Sequence, residues 1–434
     1  MNRMTGMKHK NIPIRSGKRA IMTTVMMAIV SIVMPGTEAR ADFSLEGYTL
    51  TLSPLSSGSS EIVEVSIAGN ITNNGYVGVL TVTHDSSNYS FLHGGYWNTV
   101  NNTYTWTGHV YSDIYPSRVN SSGIALPGGN STEFAADIND AGIVVGIKGS
   151  HAMMGEWGNY RDYWTDIHPS NQGYGVSRAW RISNNGVIAG VARPDNSSVY
   201  IPAMWNTDRD FVPLPAVDGV ATGSSGYVMT AVNDAGVIAG NALIDGVYHA
   251  FVWDASAEEV ILTDLEAIAD SALGDDETIR SSTVDGINES GILTGSIYFS
   301  DAWGDQRGVM WVPKEGEAGY DLIDVNRWAK EAGLLVEGVG TNEGLTAILA
   351  VSDINDHNQI VGTGLLRILS SRWVAEGPDE PEGHYETYYR NQRVAFLLNP
   401  GLTQVPEPGA TGVVAGVVAM LAYAAMRRRQ RGRR

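Results

Sequence analysis

One short pattern recurs along the chain and constrains its fold more than any other feature. The pattern is an apolar residue, Asn (Ser in one copy), two polar or small residues, Gly, an apolar run and a second Gly. The clearest copies begin at Ile138, Ile182, Val232, Ile287 and Ile354, and weaker copies begin at Ile71 and Val119. The five clear copies start 44, 50, 55 and 67 residues apart. A recurrence of roughly 45–50 residues is typical of propellers and other repeat folds, in which each repeat is one supersecondary unit.

The pattern itself predicts a hairpin. Asn and Asp side chains hydrogen-bond to nearby backbone in turns, and the first Gly stands where such a hairpin requires a positive φ. That position is held by Gly142, Gly186, Gly236, Gly291 and Asn358. Asn tolerates positive φ better than most residues, so the last copy also fits. A single copy would indicate only a surface turn, but five copies in register indicate a repeated hairpin. At the second Gly a neighbouring backbone is expected to approach closely.

Each hairpin is followed by two further candidate strands. An aromatic strand comes first, as in residues 249–253, and a short apolar strand follows, as in residues 260–265. Four short strands per repeat make one propeller blade. The 50 glycines among 434 residues and the charged fraction of 18% also favour an all-β chain. We therefore predict an all-β propeller of about six blades (six or seven) over residues 131–400. Residues 42–130 are predicted to be an irregular N-terminal β region with degenerate repeats, including strands near residues 48–52 and 62–67.

One tryptophan recurs close to the third strand of four units. The set is Trp164, Trp205, Trp253 and Trp311. Such a series could stack on sugars, or it could form a wedge between neighbouring blades. The wedge is favoured because a large aromatic side chain at one fixed place in each unit buries much apolar area. Tyr96, Trp97, Tyr104 and Trp106 lie in the irregular region and are the better candidates for ligand contact.

These residues resemble a known family. The hairpin pattern together with His249-Ala250-Phe251-Val252-Trp253 resembles the bacterial extracellular HAF repeat, and residues 353–364 with 393–400 look like the closing unit of such proteins. The resemblance spans roughly residues 130–400. It implies an exported repeat protein and supplies no catalytic motif.

The N-terminus has the order of a secretory signal peptide. Lys8, Lys10 and Arg15 are among the basic residues that precede an apolar run over residues 20–34, and a Pro-Gly break follows. Small residues at Ala39 and Ala41 then suit a signal peptidase, which places cleavage before Asp42 and makes residues 1–41 the signal peptide. The alternative is a membrane anchor, although fifteen apolar residues are short for a bilayer span.

The C-terminus reads as a sorting signal in three parts. Residues 401–408 are a linker that ends in Val405-Pro406-Glu407-Pro408, and residues 409–426 carry no charge and are long enough to cross a bilayer. Residues 427–434 form an Arg-rich tail that begins Arg427-Arg428-Arg429 and stays in the cytoplasm by the positive-inside rule. A plain transmembrane anchor satisfies the same physics. The order of the parts resembles the PEP-CTERM signal of Gram-negative bacteria, which implies processing by an exosortase-type enzyme.

Charge and composition bound the partners. The chain has 29 basic and 47 acidic residues. Seven basic residues and one acidic residue lie in residues 1–41, and six arginines follow residue 426, so 16 basic and 46 acidic residues remain between them. A body this acidic repels nucleic acid, and any attraction of divalent cations is unspecific. The sequence has no cysteine, which excludes disulfides, thiolate metal sites and a Cys nucleophile.

Catalytic and metal-binding motifs were sought and not found. The sequence lacks the esterase elbow, the zincin helix motif and the phosphate-binding loop. The segments that begin at Asp137 and Asp353 resemble the start of a calcium loop but lack its Gly and Glu spacing, so turn chemistry explains them better. No cofactor is predicted. Among the insertions, residues 266–280 are a short surface helix or a loop, residues 324–333 a two-turn helix capped by Asp324, and residues 376–389 a polar loop.

Two functions follow from these observations. The first is an exported, non-catalytic repeat protein, transiently anchored in the inner membrane and then displayed at the cell surface or in the extracellular matrix of a Gram-negative bacterium. Its expected partners are signal peptidase, an exosortase-type enzyme and extracellular polysaccharide. The second is a secreted polysaccharide hydrolase or lyase on a propeller scaffold. A convergent set of His, Tyr, Arg and carboxylates at one mouth of the channel would favour the enzyme, whereas an uncharged or repetitive mouth would favour the first function.

Overall fold

The computed structural model describes most of the region between the two predicted sorting segments. The described residues are 45, 48–53, 62–84, 90–109, 119–120, 133–158, 164–223, 226–256, 259–273, 277–300, 305–315, 317–336, 344–374 and 384–400. The predicted signal peptide over residues 1–41, the predicted linker from residue 401, the apolar segment 409–426 and the Arg-rich tail lie outside them. Among the described residues, no helix is both long and apolar enough to span a membrane.

Twenty-four strands and two short helices make up the described chain. The first nine strands are β1 (Thr49–Leu52), β2 (Ile62–Ile71), β3 (Tyr76–His84), β4 (Ser90–Asn98), β5 (Thr103–His109), β6 (Glu133–Ile138), β7 (Ile143–Lys148), β8 (His151–Glu156) and β9 (Thr165–Asp166). Next come β10 (Tyr174–Ile182), β11 (Ile188–Pro194), β12 (Ile201–Trp205), β13 (Phe211–Pro213), β14 (Tyr227–Val232), β15 (Val237–Ile244), β16 (Val247–Asp254) and β17 (Ile261–Asp264). The last group is α1 (Leu265–Leu273), β18 (Ser281–Ile287), β19 (Leu293–Tyr298), β20 (Gln306–Pro313), β21 (Tyr320–Asp324), α2 (Val325–Glu331), β22 (Gly344–Ile354), β23 (Ile360–Val374) and β24 (His384–Asn399).

These strands form six antiparallel four-stranded blades, which confirms the predicted propeller and fixes its blade number. Blades 2 to 5 are the four-stranded sheets β6–β9, β10–β13, β14–β17 and β18–β21. Blade 1 is β2–β5, and blade 6 is β22, β23 and β24 with β1 as its fourth strand. A single parallel pairing of β2 with β24 joins blades 1 and 6 in one eight-stranded sheet. From blade 2 through blade 6 and on to blade 1, the first strands of successive blades contact each other, so they line the centre of the ring. Residues 62–109 therefore form a complete blade inside the region that was predicted to be irregular.

Blade 6 closes the ring by pairing the two ends of the chain. Strand β1 is antiparallel to β24, and Thr49 lies opposite Asn399. Leu45 and Tyr48 are buried in the same core cluster as Phe396 and Leu398. The hydroxyl of Tyr48 also donates to the carbonyl of Asn358 at 2.9 Å. The N-terminal segment thus supplies the fourth strand of blade 6 and closes the ring.

The repeated hairpin has the geometry that the sequence predicts. Each turn position has a positive φ, which is 77° at Gly142, 95° at Gly186, 86° at Gly236, 77° at Gly291 and 56° at Asn358. At the second Gly of the pattern, a Cβ on Gly190 or Gly295 would collide with the backbone carbonyl of Arg178 or Thr283 on the adjacent strand. A register shift in the first strand of blades 2 to 6 brings that carbonyl close.

The tryptophan wedge is present in three of the four predicted places. Trp205, Trp253 and Trp311 are fully buried at the end of the third strand. Each indole N–H donates to a carbonyl at the end of the preceding blade, namely Ile167 at 2.7 Å, Pro215 at 2.8 Å and Leu265 at 3.0 Å. Each wedge therefore fills apolar space and ties two blades together.

Trp164 is not part of this series. It precedes β9, is half-buried and packs in a small cluster with Ile138 and Val144. The third strand of blade 2 is instead His151–Glu156, and the place of the wedge is taken by Gly155, which pairs with Val144. The equivalent residue in blade 1 is Trp97, which pairs with Val77 and is fully buried. The prediction for Trp164 was wrong because proximity in sequence does not fix a residue's strand.

Both helices lie in the connections between blades. Helix α2 confirms the predicted two-turn helix, since the Asp324 carboxylate accepts from the backbone N–H of Arg327 at 2.8 Å. Helix α1 covers the first part of residues 266–280, up to Leu273, and buries Leu265 and Ala269, whereas residues 277–280 are not helical. The predicted loop over residues 376–389 needs correction, because β24 begins at His384.

The face of the propeller that carries the connections between blades is called the crossover face, and the face that carries the repeated turns is called the turn face.

Candidate functional site

On the turn face, a ring of buried amides joins successive blades around the channel. The Asn of each hairpin pattern accepts, through its Oδ1, the N–H four residues later, as between Asn233 and Val237 at 2.9 Å. Its Nδ2 donates to the backbone carbonyl at the equivalent position of the next blade. These donations run from Asn139 to Ser183 at 3.1 Å, Asn233 to Asn288 at 3.2 Å, Asn288 to Asn355 at 3.4 Å and Asn355 to Thr72 at 2.9 Å. The four asparagines are all buried, so each of these bonds is shielded from water.

At two places in this ring the bond between blades is made differently or is missing. Ser183 keeps the acceptor role, since its hydroxyl accepts from the N–H of Val187 at 3.1 Å, but serine is too short to reach the next blade. Between blades 1 and 2 the ring contains an additional member without a blade of its own. Asn70 bonds both the N–H and the carbonyl of Val119, and the Asn120 Nδ2 donates to the carbonyl of Asn139 at 3.1 Å. The weak copy of the pattern at Val119 is therefore a bridging segment, which explains why it lies so close to the next copy.

A second ring, more exposed, surrounds the mouth of the channel. Here the side chain after the buried Asn accepts from the backbone N–H of the preceding turn. Asp234 donates its N–H to the carboxylate of Glu289 at 3.0 and 3.1 Å, and Glu289 donates its own to Asp356 at 2.8 Å. Asp356 in turn donates to the side chain of Asn73 at 2.9 Å. This mouth is repetitive, because five turns supply an Asn, Asp or Glu side chain that accepts from the backbone N–H of the preceding turn.

The carboxylate of Glu289 has an altered affinity for protons. Glu289 is exposed as a residue, but its two oxygens are turned into the ring towards the Asp234 backbone. Desolvation raises its pKa to about 7, the N–H of Asp234 opposes that shift, and the carboxylates of Asp234 and Asp356 add to it. A cluster of acids on exposed turns does not by itself hold a metal. No group of three or more metal-ligating side chains occurs within the described ranges.

The segments that resembled calcium loops have a structural role. The carboxylate of Asp137 accepts from the N–H of Ile182 at 3.0 Å, and that of Asp353 accepts from the N–H of Ile71 at 2.9 Å. Each of these contacts joins the first strand of one blade to the next blade in the ring. Asp140 likewise contacts the following turn, through its N–H and carboxylate, at the side chain of Asn184.

Towards the crossover face, blades 2 and 3 bring together the residue types of a hydrolase triad. His168 Nδ1 lies 2.8 Å from Ser177 Oγ, and His151 Nδ1 lies 2.7 Å from the carboxylate of Asp166. The two imidazoles are stacked at 4.0 Å. The pKa of His168 is lowered, first by desolvation and then by the neighbouring His151.

The arrangement does not have the geometry of a nucleophilic triad. Asp166 bonds the ring of His151 and only the backbone N–H of His168, so it does not orient the histidine that contacts the serine. Ser177 has no solvent-exposed surface, and its Oγ already accepts from the N–H of Ala152 at 3.0 Å. A substrate carbonyl therefore has no path to this oxygen.

The same cluster recurs at the boundary of blades 4 and 5 with a different acid. His249 Nδ1 lies 2.8 Å from Glu266 Oε1, Ser282 Oγ donates to Glu266 Oε2 at 2.7 Å, and Ala250 donates its N–H to Ser282 at 2.9 Å. Burial raises the pKa of Glu266, while Ser282 and His249 oppose that rise. The His-Ala pair of the repeat thus serves to attach the third strand of one blade to the first strand of the next.

At the boundary of blades 5 and 6 an arginine takes the place of the histidine. Arg307 contacts Asp324 at 3.1 Å and Glu277 at 2.6 Å, and Arg327 joins the same Glu277 at 3.2 Å. The pKa of Glu277 is lowered mainly by its hydrogen bond to Arg307. A shallow cleft lies between α1 and α2 and is lined by Leu273, Leu322, Trp328 and neighbouring polar residues.

The predicted ligand-contact aromatics of blade 1 are partly accounted for. Trp97 is wrong as a ligand platform, because it is fully buried and its indole N–H donates to Asn102 at 2.9 Å. Tyr96 is half-buried and meets Tyr76 edge-on at 5.5 Å. The side chains of Tyr104 and Trp106 lie outside the described part of the molecule, although their backbone belongs to β5.

The sheet topology defines this chain as a six-bladed β-propeller protein. No protein-family model and no curated protein sequence matches it. Solved structures of similar shape include TolB from Acinetobacter baumannii, with 9% identity and a TM-score of 0.33 over 78% of this chain and 64% of TolB. Prolyl oligopeptidase B from Galerina marginata has 6% identity and a TM-score of 0.31, over 76% of this chain and 46% of that one. An alpha-L-arabinofuranosidase from Podospora anserina has 10% identity and a TM-score of 0.27, over 83% and 99%.

The chain thus spans less than two thirds of the length of TolB and about half that of the peptidase. Likenesses this remote carry no argument about activity, because one fold hosts many unrelated functions.

Proposed function

We propose that the protein is an exported, non-catalytic repeat protein that is displayed on the cell surface or in the extracellular matrix of a Gram-negative bacterium. The signal peptide 1–41 directs export, and the Pro406-Glu407-Pro408 motif, the apolar segment 409–426 and the arginine tail direct sorting. Signal peptidase, an exosortase-type enzyme and, transiently, the inner membrane are the partners that this route requires.

The observation that carries the non-catalytic part is the repetitive mouth of the channel. The polar side chains at the turn face accept from the backbone of the preceding turn in one recurring manner, as Glu289 does from Asp234. An active site instead needs a unique set of groups that converge on one reacting atom. On the crossover face, the serines and histidines contact each other and the neighbouring blade. These contacts support a rigid scaffold that presents surfaces for binding.

The position of the two ends of the described chain supports a transient attachment to the membrane through the C-terminal apolar segment. Tyr48 contacts the turn residue Asn358, and the side chain of Gln359 donates to Asn399 at 2.6 Å, so both ends meet the disc at the turn face. Pro406 follows Asn399 by seven residues, which bounds its distance from that face to about 25 Å. While the apolar segment stays in the membrane, the turn face is held towards the bilayer and the crossover face is presented outwards.

Mass spectrometry of the extracellular fraction from the native host tests this route. We expect a mature chain that begins near Asp42 and ends close to Pro406–Pro408. Recovery of peptides spanning Val405 through Arg427 from the surface protein would instead indicate a simple anchor. The non-catalytic part is tested separately by incubating the purified protein with polysaccharides. Release of reducing ends or unsaturated sugars at a rate above that of a heat-denatured sample would favour the hydrolase or lyase.

A further inference from the structure

Two neighbouring arginines of blade 3 contact an aromatic ring. Arg209 donates to the carbonyl of Gly186, and Arg307 pairs with the carboxylate of Glu277. Within the described residues, by contrast, the guanidinium groups of Arg178 on β10 and Arg193 on β11 contact Tyr200 and form no ion pair or hydrogen bond. Both belong to blade 3, whose Val176 and Met204 pack with the Tyr227 and Phe251 of blade 4.

The two guanidinium groups converge on one aromatic ring. The Cζ of Arg178 lies 5.4 Å from the centre of the Tyr200 ring, and that of Arg193 lies 5.8 Å from it. Tyr200 is buried and packs in the core cluster shared by blades 3 and 4. Its ring therefore holds both arginines in place through cation–π contacts, which reduces the conformational freedom that each would lose on binding a ligand.

One donor of this pair is buried without a partner. The Nε of Arg193 has no accessible surface and no hydrogen-bond acceptor. A buried N–H left without an acceptor costs free energy, and in folded proteins such a group is ordinarily met by a bound water, an ion or a ligand. Arg178 and Arg193 are both half-buried as residues, so part of each reaches the surface.

The charge balance of the protein makes this pair unusual. The segment between the two sorting signals carries 16 basic and 46 acidic residues, so acids to pair with an arginine are abundant. Two guanidinium groups that lack a carboxylate in such surroundings form a local positive site. A guanidinium offers a planar fork of N–H donors that matches the oxygens of a carboxylate, sulfate or phosphate group.

We propose that Arg178, Arg193 and Tyr200 form an oxyanion-binding crevice between blades 3 and 4. Its ligand is a carboxylate or sulfate group carried on an extracellular polysaccharide. The residues lie towards the crossover face, since Tyr200 and Arg193 flank the connection between β11 and β12, and that face is directed away from the membrane during sorting. The inference deepens the proposed function by naming what the scaffold binds, and the crevice itself is argued from blade 3 contacts alone.

Calorimetric titration of the full chain in detergent tests the crevice. The probes are oligogalacturonate, dextran sulfate and unmodified dextran, at about 0.15 M salt so that long-range repulsion from the acidic body is screened beyond about 8 Å. We expect binding of at least one anionic probe and none of dextran. The comparison of oligogalacturonate with dextran sulfate decides between carboxylate and sulfate.

The arginine variants supply the residue-level test. Arg178→Gln and Arg193→Gln should each weaken binding about tenfold or more, since each removes charge-assisted hydrogen bonds. Arg178→Lys and Arg193→Lys keep the charge and lose the fork, so they should also bind more weakly than the parent. The matched control is Lys148→Gln with Lys314→Gln, which removes two positive charges elsewhere and should leave binding unchanged.

Three outcomes would overturn the crevice. The first is a parent protein that binds no anionic probe. The second is parental affinity in a variant that combines Arg178→Gln with Arg193→Gln. The third is a Lys148→Gln/Lys314→Gln control that loses as much affinity as the Arg→Gln variants do. Circular dichroism and urea midpoints establish that each variant is folded, and the Lys variants replace any Gln variant that is not. Failure here leaves the sorting prediction intact, because mass spectrometry of the mature ends does not depend on ligand binding.

Discussion

The ring of buried amides on the turn face predicts how much the free energy of unfolding falls when one of its asparagines is replaced. Asn233 is 2% exposed, and its side chain has two distinct partners. Its Oδ1 accepts from the N–H of Val237 at 2.9 Å, and its Nδ2 donates to the carbonyl of Asn288 at 3.2 Å. That carbonyl also accepts from the N–H of Gly291 at 3.0 Å, so it would keep one partner if Asn233 were changed.

Replacement by alanine removes both bonds. The N–H of Val237 then loses its acceptor, which costs about 1–3 kcal/mol for a buried group, and the half-satisfied carbonyl adds about 0.5–1 kcal/mol. Asn233→Ala should therefore lower the free energy of unfolding by about 2–3 kcal/mol. Asn233→Ser should cost only about 1 kcal/mol, because serine keeps the acceptor role that Ser183 has in blade 3.

The reverse change offers a matched gain. Ser183→Asn supplies the Nδ2 donor that blade 3 lacks towards the carbonyl of Asn233, and should stabilise the protein by about 0.5–1 kcal/mol. Urea unfolding followed by tryptophan fluorescence measures all three variants, with the slope of the transition compared among them to check that they unfold alike. Equal losses for Asn233→Ala and Asn233→Ser would show that the bond within the turn contributes nothing. A Ser183→Asn variant less stable than the parent would refute the bond between blades.

Three further predictions concern single positions. Gly236→Val should lower the free energy of unfolding by about 1–2 kcal/mol and Gly236→Asn by much less. A Cβ at this position meets nothing closer than 3.9 Å, so only the φ of 86° causes strain. Equal urea midpoints for the two variants would contradict this. Trp253→Ala should cost about 3–5 kcal/mol by creating a cavity, and a variant of parental stability would disprove the wedge. The pKa of Glu289 is raised to about 7 in the folded protein, so the folded protein binds this proton more tightly than the unfolded chain does. The contribution of Glu289 to stability is therefore full below its unfolded pKa and is lost as pH rises through 7. Glu289→Gln should therefore gain stability relative to the parent at pH 8 and not at pH 5, by less than about 1 kcal/mol since the residue is exposed; a pH-independent difference would contradict the assignment.

The sequence by itself determined the conformations that depend on a few neighbouring residues. Positive φ at Gly236 and Asn358 follows from which side chains tolerate it, and the cap of α2 follows from an Asp placed before a short helical segment. The four-stranded unit also follows from local pattern, because apolar runs separated by turns are spaced as in a blade. The second Gly of the pattern was similarly readable, since close backbone approach excludes any side chain.

Only the tertiary structure decided which strands pair across long distances in the chain. Alternation predicts that residues 48–52 form a strand, but not that β1 joins β24 across almost the whole sequence to close the ring. Blade 1 escaped prediction because its turn carries Thr72 in place of Asn and its segments are rich in polar residues. Trp97 takes the place of a wedge and Trp164 does not for the same reason, since a side chain's partner is set by strand register and not by its spacing in sequence.

The contacts between blades were likewise beyond the sequence. The pattern indicates that Asn233 bonds its own turn, whereas the donation of its Nδ2 to the next blade depends on how two first strands meet at the channel. The convergence of Arg178 and Arg193 on Tyr200 has no sequence signal either, because the three residues come from different strands and strand connections. Local residue preferences fix the turns and strands. The closure of the ring determines which side chains face each other across a blade boundary, because it brings together residues that are far apart in sequence.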